Sequence, residues 1–259
     1  EAKKNEGIKW AQERLQRRLN GEVGVDMHYT NDTAFHNKFV EPVLKKNDKI
    51  KILIGTHEFY DDPHSTGGLL FSDFYEWLIF LGEKSKNTNY DWYLKTHPDY
   101  RPETMGVLQD LMQKYPKFEL LPADASHHQI IEEGIDVALT VYGTIGFEYA
   151  ALGIPVINCS LNNPHIDYNF NIHPKSEADY KNILLNLNDL ELNIDRQEVY
   201  EYYFMQHLNK ADTENLFFND TNGTMAEIGY DAMFTPIIYE KWLAEWTEDR
   251  HKIIISALR

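Results

Sequence analysis

The chain has 259 residues, 42% of them hydrophobic and 13% aromatic, which is ample material for a buried core and excludes a disordered protein. Its 25 Lys and Arg against 41 Asp and Glu give a formal charge of −16, a field that repels phosphate backbones and argues against a nucleic-acid partner. A small anionic ligand is still admissible, because a helix N-terminus or one histidine can hold a phosphate inside an acidic protein. Cys159 is the only cysteine, which rules out an intrachain disulfide and a Cys-based zinc site and points to a reducing, cytoplasmic compartment. No apolar run of about 18 residues offers a membrane span, and no signal peptide is visible. The chain opens on Glu1 inside a polar helical pattern, as expected of a piece of a longer protein.

Taken in chain order, residues 4–20 place Ile8, Ala11, Leu15 and Leu19 on one helical face, with Gly21 as the stop. A polar connector without periodicity follows. From Lys49 the pattern changes. KIKILIGT reads as a short buried strand, then comes a polar loop, HEFYDDPHSTGG, and a helix over FSDFYEWLIFLGEKSK. DWYLKTHP is a second strand, PETMGVLQDLMQKYP a helix, FELLP a third strand, and SHHQIIEEG a short helix with Ser126 at its N-cap. DVALTVYG, TIGFEYAALG and PVINC supply strand, helix and strand again. Strand–helix alternation of this kind predicts an α/β fold, a Rossmann-like doubly wound parallel sheet of five or six strands. Helical stretches follow, beginning at Ser176, at Asp195 and at Pro236. The expected organisation is a helix and connector over 1–47, closing a preceding half, a Rossmann-like unit over 48–190, and a helical extension over 191–259.

The chemistry concentrates in two loops. At 136–157 a buried strand ends near Gly143 and a helix begins at Thr144–Ile145. Ligands of open parallel sheets bind at the strands' carboxyl ends, where first-turn N–H groups and the helix dipole favour an anion. Thr144 adds a hydroxyl donor, and Glu148 stands one turn further on the same face, where a carboxylate suits ribose hydroxyls. The generic alternative is a Gly turn with Thr144 as a plain N-cap. In YLKTHP, Lys95 and His97 fall at the same sheet edge and Pro98 stops the strand. Between 57 and 68, His57, Glu58, Asp61, Asp62 and His64 follow the first strand. Asp61 is the candidate proton acceptor or nucleophile, with His57 behind it; a divalent-metal loop or a merely solvated loop remain open. Ser126, with His127 and His128, begins a helix where a base or pyrophosphate could be contacted, and His165 and Asp167 could line the far wall. Gly143-Thr-Ile-Gly146 does not make a dinucleotide fingerprint, and there is no Walker-type motif.

KTHP followed by LTVYGTIGFEYAALGIPVI resembles the C-terminal, nucleotide-sugar half of GT-B glycosyltransferases of the capsule and surface-polysaccharide type, in the style of bacterial sialyl- and Kdo-transferases. The resemblance covers about residues 48–160, and His57, Phe59, Asp61 and Pro63 of the first loop are in register with it. It implies that His97-Pro98 and Thr144 hold the nucleotide phosphate and that Glu148 binds ribose. It further implies a CMP- or UDP-linked sugar donor, a glycan or glycolipid acceptor, no cofactor, and a cytoplasmic enzyme compatible with a peripheral position at a membrane. Such enzymes carry a whole N-terminal Rossmann half for the acceptor, whereas only a helix and connector precede Lys49 here. A sugar-nucleotide epimerase, a polyol-phosphate transferase and a non-catalytic binding module remain alternatives.

Overall fold

A computed structural model of the chain describes residues 2–23, 33–39, 41–59, 67–97, 100–190 and 193–209, with 227–229, 232, 235–249, 251–252 and 256 beyond them. The chain divides into two compact units, Glu1–Phe204 and Met205–Arg259.

The first unit opens with α1 (Ala2–Leu19) and then alternates β1 (Lys51–Gly55), α2 (Phe74–Ser85), β2 (Asp91–Lys95), α3 (Pro102–Lys114), β3 (Phe118–Leu120), α4 (His127–Glu132), β4 (Val137–Thr140), α5 (Ile145–Leu152) and β5 (Val156–Asn158), closing with α6 (Glu177–Leu185) and α7 (Arg196–Tyr203). The strands form one sheet in the order β3-β2-β1-β4-β5, every pairing parallel. The fold is therefore α/β, as the alternation of apolar runs predicts.

Strand side chains alternate between the two faces. Ile52, Ile54, Trp92, Leu94, Leu139 and Ile157 share one core with Trp77 and Leu81 of α2, Leu108 of α3 and Leu184 of α6. Leu53, Tyr93 and Ala138, one residue out of phase, are equally buried. Trp77 anchors the first layer, its indole N–H donating to the Tyr180 hydroxyl of α6 at 3.2 Å. α1 packs against α7, and α7 against α5. The break after α5 is fixed by Gly153, whose φ of +87° only glycine adopts without strain.

The sheet runs outward in two directions from β1: the chain steps to β2 and β3, then returns to place β4 on β1's other side. That reversal makes β1/β4 a switch point, the place at the strands' carboxyl ends where ligands of open parallel sheets bind. In the second unit, α8 (Pro236–Glu245) starts with proline at its first turn and exposes Ile237, Tyr239 and Leu243. Among the described residues no helix is long and apolar enough to cross a membrane.

Two glycines give a paired test of this packing. A Cβ on Gly82 would lie 2.4 Å from the buried Tyr115 ring, whereas one on Gly106 meets nothing within 4 Å. Gly82→Ala should lower stability by about 1–3 kcal/mol through overpacking. Gly106→Ala should raise it by up to about 1 kcal/mol, because helix propensity alone changes. Urea midpoints of the two variants against wild type read both.

Candidate functional site

At the switch point, β4 ends on Thr140 and the chain turns through Val141–Gly143 into α5. The Thr140 hydroxyl oxygen accepts the Gly143 N–H at 3.2 Å and lies 3.1 Å from His57 Nε2. His57 Nε2 also accepts the Val141 N–H at 3.2 Å. That bond assigns the neutral ring's proton to Nδ1. The ring stacks on Phe74 at 4.5 Å and stands 4.7 Å from Tyr142. Burial, with a smaller contribution from the charge of His97, pushes the His57 pKa down to about 3. Gly143 is required here: a Cβ would sit 2.8 Å from Thr140 Oγ1 and break the turn.

The helices that follow the strands differ in how they begin. α2 is capped by Asp73, which accepts the Glu76 N–H at 2.8 Å. The N-terminus of α3 holds the buried carboxylate of Glu58, which accepts the Arg101 N–H at 2.7 Å and the Thr104 hydroxyl. Ser126 caps α4 through the His128 N–H at 3.1 Å, and Ser176 caps α6 through the Asp179 N–H at 3.1 Å. α5 is the exception. Its N-cap, Thr144, has helical dihedrals (φ −59°, ψ −22°) and makes no side-chain cap. The Thr144 hydroxyl donates instead to Glu148 Oε2, at 3.3 Å. The N–H groups of Thr144 and Ile145 have no hydrogen-bond partner among the described residues. Open first donors at the switch point of a parallel sheet are groups that an anion could satisfy.

The remaining predicted residues fall around this turn. His97 is exposed on the segment after the neighbouring β2. Lys95 is buried, and its Nζ donates to the Ala123 carbonyl at 2.7 Å; burial lowers its pKa while Asp124 opposes the shift. Ser126 is fully buried and donates its hydroxyl to the His36 carbonyl besides capping α4. Lys95 Nζ is thus tied to the loop after β3, and Ser126 stands next to His127, whose Nδ1 lies 2.7 Å from the Tyr149 hydroxyl of α5. Glu148 is buried, with Oε1 accepting from Arg18 Nε at 2.7 Å. Asp61, Asp62, Pro63, His64 and Pro98 lie outside the described residues. Among the described residues no cluster of three or more His, Cys, Asp or Glu could hold a metal ion.

The sequence does not single out Thr140 or Arg18, and it places Glu58 in the first loop without its partners. Thr140 looks like the last residue of a strand, and Glu58 like one more polar residue in a loop. Arg18 lies 130 positions from its partner, so no local pattern could join them.

A further polar cluster flanks the first turn of α5. A Cβ on Gly146 would lie 2.9 Å from His165 Nε2 and 3.0 Å from Asn158 Oδ1, and Asn171 donates to the Gly146 carbonyl at 2.9 Å. Asn158 Nδ2, His165 Nδ1, Asn171 Oδ1 and both ring nitrogens of His173 are buried with no hydrogen-bond partner among the described residues. Desolvation pushes His165 down to about 3, aided by His173, and His173 down to about 4.

No protein-family model matches the chain, and no curated protein sequence matches it. Among solved structures it is similar to KpsC β-Kdo 2,7 transferase of Thermosulfurimonas dismutans, at 17% identity over 77% of this chain and 52% of that one, TM-score 0.47. It is similar also to KpsC β-Kdo 2,4 transferase of the same organism, at 16% identity over 76% and 55%, TM-score 0.49. A third is the wall teichoic acid polymerase TagF, at 15% identity over 91% and 49%, TM-score 0.35. The chain spans about half the length of each.

The depressed histidines set the pH response. From the ordinary value of 6.5 they fall to about 3 for His57, His127 and His165 and about 4 for His173, so below pH 6.5 the unfolded chain takes up protons that the fold refuses. Stability should be complete above pH 6.5 and decline as pH falls towards 3–4, by about 2 kcal/mol at pH 5 for the buried His165 alone. Urea midpoints at pH 7.5 and 5.0 test this, and His165→Gln should flatten part of the fall.

Proposed function

We propose that the chain binds a nucleotide sugar at the β1/β4 crevice and acts as the donor half of a glycosyltransferase in capsular or surface polysaccharide synthesis. The observation that carries this reading is the open N-terminus of α5. Each of the other helices that follow the strands has an N-terminal N–H taken by a side chain of the protein itself; at α5 none is, and the N–H groups of Thr144 and Ile145 stand beside a threonine hydroxyl. The unsatisfied Asn158 and His165 beside the same first turn are a second sign that a polar ligand belongs nearby. The resemblance of KTHP and LTVYGTIGFEYAALGIPVI to the nucleotide-sugar half of GT-B enzymes supplies the substrate class.

In the reaction, the bond from the anomeric carbon to the phosphate oxygen breaks and a new bond to the acceptor oxygen forms. The acceptor's proton passes to a carboxylate, for which Asp61 is the candidate. Negative charge developing on the departing phosphate is met by the α5 N–H groups, the Thr144 hydroxyl and His97, donors fixed before the reaction begins. His57, neutral and bonded to the β4 turn through Nε2, holds the crevice in shape, with Nδ1 as its remaining proton-bearing atom. CMP and UDP are the expected nucleotides, and a glycan or glycolipid the expected acceptor.

Calorimetric titration with CMP, UDP, ADP and GDP tests the binding. At least one should bind, and a folded protein that takes up none overturns the reading. His97→Ala should weaken the nucleotide that binds by about tenfold or more, equivalent to ~1.5–3 kcal/mol for a hydrogen bond to a charged group.

The chemistry has its own test in the full-length enzyme. Asp61→Asn should abolish turnover while nucleotide affinity stays within a few fold. Asp62→Asn, the internal control, should leave turnover intact. Wild-type turnover in both variants would remove Asp61 from the mechanism.

A further inference from the structure

We propose that Arg18, on the last turn of α1, is a positioning residue of the crevice: by neutralising Glu148 it allows a phosphate to settle at the open N-terminus of α5. The proposal rests on the reading of that N-terminus as a nucleotide-phosphate site. Glu148 lies one turn into α5, and its Oε2 accepts the Thr144 hydroxyl at the long distance of 3.3 Å. A phosphate bonded to Thr144 would therefore stand roughly 6 Å from this carboxylate. At an effective dielectric of about 20, such repulsion weakens binding about a hundredfold. A chain of formal charge −16 has no general positive field to offset it.

Arg18 offsets it locally. Its Nε and Nη2 both reach Glu148 Oε1, at 2.7 and 2.6 Å, and the two side chains are only 15% and 5% exposed. The guanidinium also lies 5.8 Å above the Phe147 ring, which fixes its plane. α1 is anchored to present it: His128 Nε2 donates to the Leu19 carbonyl at 2.6 Å, and the helix packs along α7. With Oε1 saturated by two charged donors, Oε2 competes weakly for the Thr144 hydroxyl. That hydroxyl is free to turn to a phosphate oxygen when one arrives. The same geometry occupies Glu148 within the chain, so its part in the site is to hold Arg18 and Thr144, not to receive the ribose.

The test is titration of UDP and of pyrophosphate onto the full chain as wild type, Arg18→Gln, Glu148→Gln and the double variant, with melting followed for each. Arg18→Gln should bind both probes ten- to a hundredfold more weakly, Glu148→Gln as tightly as wild type or more so, and the double variant within about threefold of wild type. An ion pair that only braces the fold would lower melting in both single variants without this opposite pair of signs and without rescue. Should Arg18→Gln fail to fold, the double variant carries the test: with no carboxylate left to neutralise, Arg18 is dispensable, and binding within about threefold of wild type is expected. Unchanged binding in a folded Arg18→Gln protein overturns the inference. So does a double variant as weak as Arg18→Gln, which would put Arg18 on the phosphate itself, and so does a Glu148→Gln protein that loses UDP but keeps pyrophosphate, which would return the carboxylate to the ribose. If wild type takes up neither these probes nor the other nucleotides, the reading of the crevice falls and this inference with it; if wild type binds and only the variants disagree, the inference falls alone.

Discussion

The pairing of β1 with β4 is the constraint on which the site depends. Ile52, Leu53 and Ile54 stand beside Val137, Ala138 and Leu139 in parallel register, so both strands deliver their carboxyl ends to the same edge. At that edge one hydroxyl, on Thr140, receives the Gly143 N–H and stands against the His57 ring. The loop after β1 and the turn after β4 are thereby held to each other. A buried side-chain bond of this kind costs more to break than it contributes when made, because the group left behind is desolvated and unpaired. It therefore sets geometry more than it adds stability.

The acidic composition shapes the rest of that edge. In a protein of charge −16, carboxylates are plentiful, and among the described residues three helix N-termini are occupied by them: Asp73 on α2, Glu58 on α3 and Asp195 on α7. Each bond stabilises its helix through the macrodipole and closes that end to an outside anion. α5 departs from the pattern because Thr144 already has helical dihedrals and turns its hydroxyl down the helix to Glu148. Beside that first turn, Asn158 and His165 are pressed against Gly146, where any side chain would collide, Asn171 donates to the Gly146 carbonyl, and the His173 ring stands 5.2 Å from that of His165.

α1 is part of the first unit, through Arg18 on Glu148, His128 on the Leu19 carbonyl and its packing along α7. A helix that reads in isolation as a polar lead-in contributes a charge to the most polar corner of the sheet. The buried pair it makes is costly to break from either side, because each partner would leave an uncompensated charge.

What could be read from the sequence alone was what depends on neighbours in the chain. The β-branched runs at Lys51–Gly55 and Val137–Thr140, the helical spacing of Phe74, Trp77, Leu78 and Leu81, the N-caps Ser126 and Ser176, and the stop at Gly153 all follow from local sterics and hydrogen bonding, and each is found in the structure. The same logic placed a strand end and a helix start at Gly143 and Thr144. The strand order was not legible, because parallel pairing joins residues tens of positions apart and carries no periodic signal between them. Only the folded chain could show Lys95 donating to Ala123, Glu58 serving the start of α3, or Arg18 meeting Glu148. These partners are chosen by which helices the sheet brings side by side, a choice made by burying the whole core at once and not by any one segment.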